Sequence, residues 1–311
     1  MKRQDRSVST IVLATDFLRP AQRAFAYAIA LAKALRCRLA IIHVIKGVAD
    51  AQLPHPPEGR NLQSMKTSAL LELGRLVRVA QDAGVRAEPF LRVGHPATCI
   101  RDRLLDGPLS LIVMGTHGRT GWDRLELGST AESVIREAPC PVMVVRGLVA
   151  GDAVRGRTPV RLKRILVATD FSVCAQAAVR YAAMLARQLE SELMVLHVVE
   201  ALDRRPDFGR SGAKNVVEIS VGQARSQRRL DRTLSLLKTD GVKTEGRCVT
   251  GVPIDVILAM AGEWTVDAIV VGTQGRRGLR RLMLGSLAEQ VVRRAGCPVL
   301  TVNRSANHVR V

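Results

Sequence analysis

The stretch GTQGRRGLRRLMLGS, Gly272–Ser286, decides how the rest of the chain is read. It follows the apolar run Ala268–Val271 and leads into a helical pattern, Leu287–Arg294. Gly272 and Gly275 stand three apart, and nine residues separate Gly275 from the pair Gly285-Ser286. A buried strand, a glycine-rich loop and a helix start are the parts of an anion cradle. Glycine lets main-chain N–H groups come close to an oxyanion. The helix N-terminus adds unpaired donors and the positive end of a dipole. The same arrangement occurs earlier. Leu111–Met114 lead into Gly115-Thr-His-Gly118, and nine residues separate Gly118 from Gly128-Ser129. Two loops with identical spacing imply a duplicated chain.

The rest of the sequence bears the duplication out. Arg164–Phe171, RILVATDF, repeats Thr10–Phe17, TIVLATDF. His197-Val198 repeats His43-Val44, and Gly251-Val-Pro253 repeats Gly94-His-Pro96. The offset is 154 at Asp16 and Asp170 and 157 at Gly115 and Gly272, so the second copy gained three residues in between. A repeat period of one domain length marks two copies of one fold. Within the first copy, strands are expected at 11–15, 38–44, 88–93, 109–114 and 140–145. Helices are expected at 21–35 and 62–83, after the Gly94-His-Pro96 turn, and from Ser129. Strands alternating with helices argue a parallel, doubly wound sheet. The Gly- and Pro-containing stretch before Arg164 breaks the rhythm. The chain therefore divides into domain 1, residues 1–147, a linker, 148–163, and domain 2, 164–311. The segment 46–61, rich in proline and longer than ordinary connections, is expected as a lid or binding loop, or as disordered chain, and 200–222, basic and glycine-containing, as its counterpart lid in the second half.

Composition agrees with two α/β domains. The 311 residues are 47% hydrophobic but only 3% aromatic, so the cores must be built from Ala, Val, Leu and Ile. The net charge of +19 attracts polyanions such as nucleic acid, anionic lipid or nucleotide phosphates, or is simply a soluble arginine-rich surface. Six scattered cysteines form no metal-ligand spacing and read as small buried hydrophobes in a reducing compartment. No run reaches the roughly 20 apolar residues of a membrane span. A cytoplasmic location is the expectation.

The pattern Gly-x-x-Gly, nine residues, Gly-Ser resembles the nucleotide-binding signature of the universal stress protein family, with both copies complete. The resemblance covers about residues 8–146 and 161–304. It implies two tandem five-stranded parallel sheets of strand order 3-2-1-4-5, in the adenine-nucleotide α-hydrolase-like class, associating through their fifth strands. It implies that Asp16 and Asp170 contact the ribose or adenine side of ATP. Val44 and Val198 would offer main-chain groups to the adenine edge. Gly115, Gly118, Gly128, Ser129 and Thr130 would hold ribose and phosphates in one half. Gly272, Gly275, Arg276, Gly285 and Ser286 would do so in the other. ATP, or ADP or AMP, is the implied ligand, with Mg²⁺ as its companion ion. A homodimer and a regulatory protein partner are further expectations.

Other readings weigh against some of these residues. An Asp that ends a strand often caps the next helix. His43 and His197 lie within strands and read as core or edge histidines. No P-loop lysine and no dinucleotide fingerprint follow the strands, and no nucleophile, base and orienter come together. The chain therefore reads as an ATP-binding regulatory module with little or no hydrolysis; the rivals are a slow ATPase and a nucleic-acid-associated basic protein. The loops differ in charge. The first carries Asp123 and Glu126, the second Arg276, Arg277, Arg280 and Arg281, so the second is expected to hold triphosphate more tightly.

Overall fold

The structure, a computed structural model, describes residues 8–46, 62–104, 110–116, 127–146, 160, 162–200, 212–274 and 285–303. The first half runs β1 (Thr10–Ala14), α1 (Arg19–Ala34), β2 (Arg38–Ile45), α2 (Leu62–Asp82), β3 (Ala87–Val93), α3 (Pro96–Leu104), β4 (Ser110–Gly115), α4 (Ser129–Glu137) and β5 (Val142–Val145). The second repeats it as β6 (Arg164–Ala168), α5 (Val173–Leu189), β7 (Glu192–Glu200), α6 (Gly212–Thr239), β8 (Thr244–Gly251), α7 (Pro253–Glu263), β9 (Ala268–Gly272), α8 (Ser286–Arg294) and β10 (Val299–Val302).

All strands belong to one ten-stranded sheet of order β3-β2-β1-β4-β5-β10-β9-β6-β7-β8. Each half thus has the order 3-2-1-4-5, and every pairing inside a half is parallel. Only β5 and β10 run antiparallel, with Met143 opposite Leu300 at the centre of the seam. Successive residues of a strand face opposite sides. Ile11 and Leu13 accordingly join a core layer with α1, α2, α5 and α6, while Val12 joins one with α3, α4, α7 and α8. Being covered on both faces, the central strands have no polar face to keep, which is why they read as unbroken apolar runs.

The seam is held by reciprocal bonds as well as by apolar burial. Arg146, just after β5, donates from Nη1 to the carbonyl of Ala295 at the end of α8 (3.2 Å). Asn303, the residue just after β10, donates from Nδ2 to the carbonyl of Ala138 at the end of α4. Each half therefore satisfies a helix-terminal carbonyl of the other, a group the helix cannot satisfy itself. The Thr301 hydroxyl, buried in the seam, donates to the Val142 carbonyl (3.2 Å).

Two boundaries differ from expectation. α1 begins at Arg19 rather than Ala21, because Pro20 in the first turn of the helix needs no intrahelical N–H acceptor. In the expected second lid, 212–222 is helix and forms the start of α6; this run holds no proline and continues the helical register. The rest of that lid, 201–211, and the first lid from 47 to 61 lie outside the described residues. Of the cysteines Cys174 is buried and the other five are half-buried; burial pushes the thiols of Cys37 and Cys297 up to about 11 and that of Cys140 up to about 12.

Candidate functional site

In each half the strand order reverses between strands 1 and 4, the place where open α/β sheets bind ligands beyond the carboxyl ends of their strands. β1 lies between β2 and β4, with Ala14 in register with Ile42 on one side and Met114 on the other. Asp16, Val44 and Gly115 therefore sit at adjacent strand ends. Asp170, Val198 and Gly272 do the same around β6.

The turn after the first strand is built the same way twice. The Thr15 side chain, through Oγ1, accepts the Phe17 N–H (3.0 Å), and Asp16 Oδ1 accepts the Leu18 N–H (3.0 Å). In the second half Thr169 accepts from Phe171 (3.0 Å) and Asp170 from Ser172 (2.9 Å). Both carboxylates thus hold the turn before the helix by accepting the N–H of its N-cap residue, whereas the N-caps themselves are Leu18 and Ser172. Phe17 and Phe171 have φ of 66° and 62°. A bulky side chain pays about 1–2 kcal/mol in that left-handed region, and it persists where the surroundings over-determine it. Here they do. His43 stacks on Phe17 with centroids 4.4 Å apart, and His197 lies 4.5 Å from Phe171. Each imidazole Nδ1–H also donates to the carbonyl of the preceding threonine, Thr15 at 2.8 Å and Thr169 at 2.7 Å. A carbonyl only accepts, so Nδ1 carries the hydrogen. The histidines are strand residues that brace the turn.

The first glycine of each loop is required by packing. A Cβ on Gly115 would lie 2.9 Å from the Pro20 carbonyl carbon, and one on Gly272 would lie 2.9 Å from the Ala175 nitrogen. The first turn of α1 or α5 presses against the end of the fourth strand and leaves no room for a side chain.

Gly128 and Gly285 have φ of −61° and −62°, which any residue adopts. Their N–H groups close the base of each loop by donating to the carbonyls of Thr116 (2.9 Å) and Thr273 (2.7 Å). Those carbonyls belong to threonines tied in turn to the sheet, through Thr116 N–H to Val145 O and Thr273 N–H to Val302 O. As N-cap residues without a side chain, the two glycines offer no side-chain acceptor to the N–H groups of the first turn. The first intrahelical bonds are Glu132 N–H to Gly128 O and Glu289 N–H to Gly285 O, both 3.0 Å. The N–H groups of Ser129, Thr130 and Ala131, and of Ser286, Leu287 and Ala288, thus have no acceptor inside their helices. Ser129 and Ser286 are exposed at this end. The arrangement suits an oxyanion: three donors, a positive dipole end and a hydroxyl.

Of the residues singled out from the sequence, Gly118, Gly275 and Arg276 lie outside the described residues. The rest fall at the strand ends and helix starts of two equivalent clefts. What the sequence reading left without a role is the brace: Thr15, Phe17 and His43, with Thr169, Phe171 and His197. The signal was present, since Thr-Asp-Phe and His-Val recur in both halves, but it served only to establish duplication.

The family model described as "Universal stress protein family" matches residues 8–146 and again 161–303. A universal stress protein of Methanocaldococcus jannaschii is 33% identical over 143 residues, 46% of this chain and 82% of its own. One from Synechocystis is 25% identical over 263 residues, covering 83% of this chain and 78% of its own. Among solved structures, a universal stress protein from Archaeoglobus fulgidus superposes with a TM-score of 0.68 at 22% identity, covering 95% of this chain and 98% of that one.

Proposed function

This chain belongs to the universal stress protein family in both of its halves, and from that premise we propose that it is a regulatory binding module with two adenine-nucleotide sites, one per half. The observation that carries the reading is the open helix start. In both halves a glycine N-cap leaves three N–H donors free of intrahelical acceptors at the carboxyl ends of strands 1 and 4. The proposed domain division is 1–147 and 164–311, with 148–163 as linker.

In this reading phosphates lie on the starts of α4 and α8, held by the main chain and by the hydroxyls of Ser129, Thr130 and Ser286. Gly118, Gly275 and Arg276 contribute from the loops. Asp16 and Asp170 accept from ribose hydroxyls with the oxygen not used for the turn. Val44 and Val198 offer main-chain groups to the adenine edge. ATP is the proposed ligand, and Mg²⁺ would neutralise its phosphates. The brace keeps each carboxylate in place before ligand arrives, which lowers the cost of ordering on binding. No helix among the described residues is long and apolar enough to cross a membrane; a cytoplasmic location and a regulatory protein partner are part of the proposal.

The test is the nucleotide content of freshly purified protein, released by denaturation and resolved by ion exchange against ATP, ADP and AMP. Near-stoichiometric adenine nucleotide supports the reading, and its ATP-to-ADP ratio reports turnover. No released nucleotide, together with no ATP binding in a titration, overturns it.

A further inference from the structure

The two outermost helices, α2 and α6, are equivalents. They pack on the same face of the sheet, and Leu73 and Leu230, both fully buried, hold the same register 157 residues apart. Their outward faces have diverged. α6 presents Arg225, Arg228, Arg229 and Arg232 where α2 has Ser68, Leu71, Glu72 and Arg75. All four α6 arginines are exposed. Their spacing of three, one and three residues gathers them on one side of the helix, opposite Leu230 and Leu237, which face the core. They span about 10 Å of helix axis.

Several other surface arginines are neutralised. Arg75, Arg101, Arg136, Arg247, Arg293 and Arg294 each lie 2.7–3.9 Å from a carboxylate. Among the described residues none of the four α6 arginines does. Arg228 Nε donates to the Ala224 carbonyl, and Arg229 stacks over the Phe171 ring at 4.5 Å. The neighbouring acid, Asp231, stands to the side and accepts from Gln227 Nε2 (2.8 Å). Four uncompensated cations on one rigid face repel each other in the free protein, and a polyanion relieves that repulsion.

We infer that this face of α6 binds the phosphodiester backbone of duplex nucleic acid without reading its sequence. Charge density favours this occupant. Four guanidinium groups over about 10 Å face a duplex that carries one charge per about 1.7 Å of axis. Guanidinium also matches phosphate in two-point geometry. The ring beside the arginines, Phe171, is buried beneath Arg229, and no other described residue there offers an aromatic face to unpaired bases, as single-strand binders require. An interfacial membrane helix would need an apolar stripe beside its basic one; among the described side chains of α6 the exposed large apolar residue is Leu236, one turn beyond Arg232. The inference does not depend on nucleotide occupying either cleft.

The experiment follows anisotropy of a labelled mixed-sequence DNA duplex with the full chain, across about 50–200 mM salt. Two triple variants of equal net charge are compared: Arg225→Gln with Arg228→Gln and Arg232→Gln, and Arg78→Gln with Arg86→Gln and Arg92→Gln, which lie on α2, between α2 and β3, and on β3. Glutamine keeps helix propensity, Arg229 is left to cover Phe171, and thermal melts check that both variants fold. The α6 triple is expected to weaken binding at least about tenfold at low salt and to reduce the slope of log affinity against log salt by about 3, one for each phosphate no longer engaged. The other triple should change either quantity little. Equal losses in both variants mean diffuse attraction by net charge and overturn the inference, as does absence of duplex binding by the parent. Binding to phosphatidylserine vesicles that the α6 triple abolishes, with no duplex binding, assigns the face to a membrane and overturns it too.

Discussion

Tyr27 on α1 and Tyr181 on α5 hold the same position in the two halves, 154 residues apart, and their hydroxyls meet opposite fates. Burial pushes the Tyr27 hydroxyl up, but the Arg23 guanidinium beside it lowers it again by charge and by a hydrogen bond. At the position equivalent to Arg23 the second half has Ala177. The Tyr181 hydroxyl is fully buried with no hydrogen-bond partner among the described residues, and burial pushes it far above its ordinary value. The pair teaches where duplicated domains stay alike and where they drift. The strand-end turn, the loop-base hydrogen bond and the close glycine are the same in both halves, because backbone geometry admits few residues there. Helix neighbours such as Arg23 and Ala177, or Glu72 and Arg229, differ freely, because the helix forms with either.

The largest expected effect tests the part that stays alike. Gly115→Ala and Gly272→Ala each force a Cβ against backbone, which cannot swing aside, and each should cost about 1–3 kcal/mol in denaturant unfolding. Equal losses keep the comparison; tolerance in one half only would show that the two helix starts do not press on their strands alike. The next tests the clefts, under the proposed function. Gly285→Asp places a carboxylate among the donors at the start of α8 and should remove the tighter phase of ATP binding. Gly128→Asp should remove the weaker one. The two phases are expected to differ by about tenfold, or about 1.4 kcal/mol, because the arginine-rich loop belongs to the second half; equal affinities would break the ranking.

Smaller, and opposite in sign, are the tyrosine variants. Tyr27→Phe loses a hydrogen bond and should destabilise by about 0.5–1.5 kcal/mol. Tyr181→Phe removes an unpaired buried hydroxyl and should be neutral or stabilising by up to about 1 kcal/mol. Destabilisation by both would mean that Tyr181 has an acceptor after all. The smallest difference lies between Cys140 and Cys297. Both folded thiols titrate above the ordinary 9.0, at about 12 and about 11. The unfolded thiols lose their protons first, so their contribution is intact below about pH 9 and falls as pH rises. The fall ends near pH 11 for Cys297 and continues towards pH 12 for Cys140. Alkaline unfolding of Cys297→Ala and Cys140→Ala should show each slope flatten over its own window.

Much of the fold was legible because it rests on local rules. The apolar runs, the Ala-rich helices and the two spaced glycine loops name strand, helix and loop without reference to partners. The site was legible as far as its main-chain parts go, since Gly128-Ser129 and Gly285-Ser286 announce a helix start with no capping side chain before it. Asp16 and Asp170 were half legible: a carboxylate at a strand end is visible, but that one oxygen is committed to the next turn depends on the left-handed Phe17 and Phe171. The segment 212–222 was misread because it reads together with the basic, glycine-containing run before it, which looks like loop.

By itself the sequence determined the duplication, the fold class and the family, because spacing and periodicity are properties of the chain alone. Tertiary structure decided what depends on distance between segments remote in the chain. It joined β5 to β10 through Arg146 and Asn303, since a terminal carbonyl finds its donor only once the halves meet. It gave Gly115 and Gly272 a reason in packing that the sequence does not show. It also gathered Arg225, Arg228, Arg229 and Arg232 on one exposed face with no carboxylate pairing them among the described residues, because whether a charge has a counter-charge is settled by neighbours in space.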